Sequence, residues 1–306
     1  SNLLYNLNRS DITLIETESD KHTVRLLNEF RELLKNFYKK KQNLKEIVFH
    51  FEQNNTLRFL IEHSLPKYSV NIREVSLTII ANFFVYFPEF TDFFIKGKYI
   101  WIINDILQNY SIEENRVLLA PAYKGIGVAI KNLQNEEFNI DLFNYFFNNI
   151  DFEYFIQATV AVDPKQYNII NFSIFWLFKQ SNIPSSINKK TFLFSDEIVI
   201  RLLNILYETI RLSISEESCS DDSHLYALTA IDLFLRSDRY SEDIRREAII
   251  DSKIDQCINR YFDVDGLIPE KSLVLSITSI FYWLGIEDRY NLVEHILPLL
   301  LSIISD

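Results

Sequence analysis

Glycine is nearly missing from this 306-residue chain: Gly97, Gly125, Gly127, Gly266 and Gly285 are all there is. Sandwiches and barrels use glycine in their many tight turns, and nucleotide folds use it in their phosphate loops, so both are disfavoured. Helices joined by short connections need little of it. Methionine is absent, which is unusual for a chain this long and this apolar. Two cysteines, Cys219 and Cys257, are too few for a disulfide framework. A reducing compartment is therefore expected, the cytoplasm first and the nucleus second. No apolar run is long enough to span a bilayer, and no signal peptide is visible. Positive charge is in deficit: 31 Lys and Arg against 42 Asp and Glu leave a net charge of −11. Such a surface repels a phosphate backbone and disfavours nucleic acid as a partner. The opening Ser1-Asn2 reads as the scar of a protease cleavage, so the natural chain is expected to continue beyond both ends.

What is present is ordinary for a folded protein, with 48% hydrophobic and 24% charged residues. No long stretch of low hydrophobicity suggests wholesale disorder. Residues 21–40 read as a long helix, because Val24, Leu27, Phe30, Leu33, Leu34 and Phe37 make one stripe at spacings of three and four. Asp20 is its expected N-cap. Residues 43–52 and 54–64 read as two more helices, the second ending before Pro66.

Asn71–Leu107 is the most informative stretch. Asn71 is placed to cap a helix over Ile72–Phe87 that is apolar on nearly every side, as a helix between layers must be. A short amphipathic helix over Glu89–Ile95, a Lys96-Gly97-Lys98 corner and a helix over Tyr99–Leu107 follow. Long helical segments then recur over Glu113–Leu133, interrupted by Pro121, and over Gln166–Gln180, Asp222–Arg236 and Glu270–Leu284. Shorter helices are expected at 138–149, 151–162, 195–213, 241–250 and 253–262, and a last one at Asp288–Ile304. The long segments start roughly 40–56 residues apart, against about 40–47 in armadillo and HEAT repeats. Runs such as Phe138–Phe147 and Phe172–Phe178 carry aromatics that suit strands, but clean alternation is missing.

The expectation is an all-α fold, a right-handed α-α superhelix of about five armadillo/HEAT-like repeats. Residues 1–20 form an N-terminal tail or cap, and residues 21–306 a single armadillo-like α-solenoid domain. Each repeat leaves apolar faces that only its neighbours cover. The last helix, with Leu297, Leu299, Leu300, Leu301 and Ile303, lacks the polar face of a finished cap, so it is expected to meet a partner or a continuation of the solenoid.

No catalytic constellation is visible. His22, His50, His63, His224 and His295 have no zinc-ligand spacing with cysteine or one another. Gly125-Ile126-Gly127 lies within a helical pattern, and its bland reading is close helix packing beside the Pro121 kink. Cys219 sits among Glu216, Glu217, Asp221 and Asp222, which disfavour a thiolate. The chain is expected to be no enzyme and to hold no cofactor or metal. Arg31, Lys35, Lys39, Lys40 and Lys41 make a basic end to the first helix, a candidate patch for an acidic segment or an anionic lipid headgroup. Its bland reading is lysine favoured by a helix C-terminus. The 25 Phe, 16 Tyr and 3 Trp are mostly core. Some are expected to line a groove that takes a partner helix or peptide.

The order of helices over Asn71–Leu107 resembles the armadillo superfamily, and the recurring long helices extend that likeness over most of the chain. The resemblance implies that the long helices line a concave, partner-binding face, with Arg73, Asn82, Lys179 and Tyr282 as candidate contacts. The best-known armadillo family, importin-α, reads cargo with a ladder of asparagines and tryptophans. Here only Asn82 falls at such a place, and Val128, Lys179, Leu233 and Tyr282 occupy the others, which excludes nuclear-signal recognition. Leu27–Leu34, Ile72–Val75 and Glu113–Arg116 also look like the N-terminal armadillo region of Rictor-type scaffold subunits of the TOR kinase, over about the first 135 residues. Formin inhibitory domains and Arp2/3-activating proteins share the bulk features. The functional expectation is a non-catalytic scaffold or adaptor for protein partners. The alternative is a regulatory subunit of a kinase complex or of the actin-nucleating machinery.

Overall fold

The computed structural model describes residues 18–40, 51, 55–134, 140–181, 194–215, 221–237, 240–245, 276 and 280. Among these residues all regular structure is helical and no strand occurs. The main helices are α1 (Glu18–Lys39), α2 (Thr56–His63), α3 (Val70–Tyr86), α4 (Thr91–Lys96), α5 (Tyr99–Gln108), α6 (Arg116–Leu133), α7 (Ile140–Asn149), α8 (Phe152–Ala158), α9 (Tyr167–Ser181), α10 (Asp196–Ser215) and α11 (Asp221–Arg236). The expected helices over 43–52, 253–262, Glu270–Leu284 and Asp288–Ile304 fall outside the described residues, apart from Phe51, Ser276 and Ile280, which are helical.

Local chemistry explains most of the boundaries. Phe87 leaves the helical region (φ −136°, ψ 72°), as the residue before a proline is disposed to, and this stops α3. Pro88 then opens the 3-10 turn Pro88–Phe90, where a missing N–H costs nothing. Two expected caps are corrected. Asp20 lies inside α1, which begins at Glu18, so its carboxylate sits in the first turn and complements the helix dipole. The N-cap position of α3 belongs to Ser69, with extended backbone, and Asn71 lies in the first turn. Pro121 does not interrupt α6. The carbonyl it leaves unpaired is that of Val117, in the solvent-exposed first turn of the helix.

The long helices stack in chain order, α1 on α3, α3 on α6, α6 on α9 and α9 on α11. A second row is made by α5 on α8 and α8 on α10. α3 is the centre of the buried mass: Ile79, Ile80, Phe83 and Phe84 are fully buried. The Phe83 ring meets Phe51, Phe90 and Phe94 at centroid distances of 5.3, 5.9 and 6.1 Å, in edge-on or tilted contacts. One member of the α1 stripe is misplaced, since Leu33 faces solvent while Leu27 and Leu34 are buried.

The G-x-G of α6 serves close packing. A Cβ on Gly125 would collide with the Tyr99 hydroxyl of α5, and one on Gly127 would lie 2.8 Å from Phe172 Cδ1 and 2.8 Å from Ser173 Oγ on α9. Side-chain hydrogen bonds tie each tier to the next at a recurring distance along the chain. Lys124 Nζ donates to Asn82 Oδ1 (42 residues apart), Asn132 Nδ2 to the Phe84 carbonyl (48), Asn104 Nδ2 to the Asn149 carbonyl (45), Ser173 Oγ to the Tyr123 carbonyl (50) and Arg201 Nη1 to Glu153 Oε2 (48).

Candidate partner-binding groove

The row α3–α6–α9–α11 presents a groove of about 480 Å³. Val85 comes from α3, Lys124, Val128 and Lys131 from α6, Phe172 from α9 and Tyr226 from α11. Every third or fourth residue of α6 faces it, because Lys124, Val128 and Lys131 sit at spacings of four and three. The Phe172 ring packs edge-on against Tyr226 at 5.2 Å and against Trp176 at 6.3 Å, so aromatics line the α9 side.

Beside this wall stand three lysines. Lys124 is half-buried and donates to Asn82 Oδ1 at 3.0 Å, and burial pushes its ammonium below the usual lysine range. Lys131 of α6 lies 5.8 Å from the Trp176 ring centroid. Lys179 of α9 lies 4.3 Å from that ring and 5.6 Å from Phe175. Two cations from neighbouring helices thus share one indole face or edge. Trp176 is fixed by Gln134 Nε2, which donates to its carbonyl at 3.0 Å, and its own indole N–H is buried with no acceptor among the described residues. Neither Lys131 nor Lys179 has a carboxylate within salt-bridge distance among the described residues.

The residues singled out in the sequence meet different fates. Asn82 and Lys179 do not line this groove: Asn82 accepts from Lys124, which does, and Lys179 stands over Trp176, whose ring packs on Phe172. Nor does Arg73: it is buried, and its guanidinium donates to the Ser64 carbonyl (3.4 Å), Asn115 Oδ1 (3.3 Å) and Asp105 Oδ2 (3.4 Å). Burial lowers its pKa and Asp105 partly offsets this. Arg73 therefore locks the N-terminal half of α3 to α5 and to the turn before α6. Tyr282 and Lys41 lie outside the described residues. In the basic patch, Arg31 and Lys35 both approach Glu32, at 4.0 and 3.7 Å, while Lys39 and Lys40 are exposed. The Arg31 charge also acts on the half-buried Glu74 of α3, whose carboxyl is raised by burial despite it. His63 is held between Phe59 and Tyr68 at ring distances of 3.8 and 4.4 Å, with Nδ1 2.9 Å from the Phe59 carbonyl. Cys219 and Cys257 lie outside the described residues.

Lys131, Phe172 and Trp176 went unmarked by sequence. A signal existed in the spacing, because Lys131 and Lys179 are about one repeat apart and so fall in matching turns of stacked helices.

No family model matches the chain, and neither a curated protein nor a solved structure matches it. Among the described residues no single helix is long and apolar enough to cross a membrane.

Proposed function

We propose that this chain is a non-catalytic scaffold or adaptor. In this reading it is an armadillo-like solenoid of about five repeats that holds a protein segment along the row α3–α6–α9–α11, in the cytoplasm. Two features support the solenoid. The long helices pack strictly in chain order, and inter-tier hydrogen bonds recur 42 to 50 residues apart. Stacked repeats produce both, because each tier can touch only its neighbours.

The observation that carries the binding reading is the groove itself. The half-buried rings of Phe172 and Tyr226 and the exposed Val85 remain open to solvent along the stacked helices, where a partner side chain gains apolar burial and a rim of polar contacts. Capture of partners on the immobilised chain, followed by reconstitution with the purified partner, tests it. Val85→Asp, at an exposed position on the groove, should abolish the reconstituted complex. Trp101→Glu, at an exposed position on α5 away from the groove, should leave it intact. The opposite pattern would place the binding surface elsewhere.

A further inference from the structure

The groove carries charge opposite in sign to the net charge of the protein. The chain has a net charge of −11, yet the described residues lining the groove include Lys124 and Lys131 and no carboxylate, with Lys179 beside them over Trp176. Some exposed lysines sit on carboxylates of their own helix or turn: Lys21 on Glu18, Lys67 on Glu62, Lys96 on Asp92. Lys131 and Lys179, on neighbouring helices, instead converge on a single indole, 5.8 and 4.3 Å from its centroid, with no carboxylate paired to either among the described residues. An anionic group at the rim of that ring gains attraction to both.

Taking the scaffold reading as given, we propose that the segment bound in this groove is an acidic peptide of a partner protein. Aspartate or glutamate side chains pair with Lys131 and Lys179 around the rim of Trp176, and an interleaved apolar side chain packs on Phe172. The acidic remainder of the protein disfavours a nucleic acid, whose uniform backbone charge would extend past the groove.

The test uses the whole chain and a fluorescein-labelled peptide in which Glu-Asp pairs alternate with Leu-Phe pairs, read by fluorescence anisotropy. Its controls are the same peptide with Gln-Asn in place of Glu-Asp, and a single-stranded oligothymidine. The acidic peptide should bind roughly tenfold more tightly than the neutral one and weaken as salt is raised. Lys131→Glu with Lys179→Glu should remove that preference, and Lys131→Gln with Lys179→Gln should reduce it. Lys39→Glu with Lys40→Glu, reversing charge on α1, should leave it unchanged. Both lysine pairs are exposed, and circular dichroism establishes that the variants fold. Equal affinity for the neutral peptide, indifference to the Lys131 and Lys179 changes, or tighter binding of oligothymidine would each overturn the inference. If the two peptides bind equally and Phe172→Asp abolishes both, the groove reading stands without its acidic preference. If neither peptide binds, the inference falls; if the purified partner of the capture experiment also ignores Val85→Asp, the groove reading falls with it.

Discussion

Gly127 of α6 lies directly under the Phe172 ring of α9. A methyl group in place of its hydrogen would sit 2.8 Å from Phe172 Cδ1 and 2.9 Å from Cε1. Alanine ordinarily favours a helix interior over glycine by about 1 kcal/mol. Here that gain is opposed by overpacking between two long helices, which typically costs about 1–3 kcal/mol. Gly127→Ala is expected to destabilise the protein slightly, and Gly127→Val clearly. Because Phe172 also lines the groove, Gly127→Val should weaken partner binding as well as lower the urea midpoint. An unchanged midpoint for the valine variant would mean that the α6–α9 contact is looser than this geometry.

Arg73 is the clearest case of a residue whose role lies in its partners. As one of few basic residues on an apolar helix, it reads in the sequence as a contact for something outside. The groups that bury it, Asp105 and Asn115, come from 32 and 42 residues along the chain. Arg73 is buried but Asp105 is partly exposed, so losing the guanidinium costs about 1–3 kcal/mol through the hydrogen bonds left unmade. Arg73→Met should therefore lower stability strongly, and adding Asp105→Asn should restore part of the loss. Arg73→Lys should rescue poorly, since an ammonium cannot reach three acceptors in a fork. Equilibrium urea unfolding of the four proteins gives the coupling. Additive effects would contradict the pairing.

That contrast marks what was legible in advance. The all-round apolar character of α3, the proline that stops it, the corner at Gly97 and the long helix of α6 are consequences of local chemistry, so the all-α class and most helix positions could be read from sequence. Asp20 and Asn71 read as caps in the sequence because Glu18 and Ser69 are equally polar and only two residues away. Leu33 reads as part of the buried stripe because a 22-residue helix offers more apolar positions than α3 and the Phe51 ring cover among the described residues. The groove was invisible because Lys131 and Trp176 come together only once α6 lies on α9.

Tyr123 spans the two rows. Its hydroxyl is buried and donates to the Phe155 carbonyl at 2.5 Å, in the last turn of α8, where helix carbonyls lack partners of their own. Burial raises the phenol above its usual range, so it stays protonated and remains a donor. Tyr123→Phe keeps the ring contact with Phe155 at 4.9 Å but strands that carbonyl, a loss of about 1–3 kcal/mol. Thermal denaturation should show the drop, and hydrogen exchange should show it concentrated in α8. Uniform exchange changes would argue against a local capping role.

Glu74 supplies a test at the acid end. Burial raises its carboxyl above 4.5, and Arg31 opposes that shift. Between 4.5 and the raised value the folded protein holds more proton than the unfolded chain, so stability falls as pH climbs through that window. At neutral pH the ionised group is a net cost. Glu74→Gln should raise the urea midpoint at about pH 7 and lose its advantage near pH 4, below the unfolded value. Arg31→Gln should enlarge the cost at neutral pH. A Glu74→Gln variant less stable than the parent at neutral pH would show that the carboxylate has a stabilising partner instead.

Lys124 gives the mirror case. Burial holds its folded pKa below 10.5, so between that folded value and 10.5 the unfolded chain carries more proton than the folded one. Stability contributed by this group therefore rises as pH climbs through the window. Tyr99 and Tyr123, both raised by burial, push the other way at alkaline pH, so the informative quantity is a difference. The stability of the parent minus that of Lys124→Met should increase steadily with pH on the alkaline side. At neutral pH the methionine variant should come close to the parent. It sheds the cost of a half-buried charge and gives up one hydrogen bond to Asn82, whose half-buried amide can turn to water. A flat difference across the alkaline range would mean that Lys124 is as well solvated in the groove as in the unfolded chain.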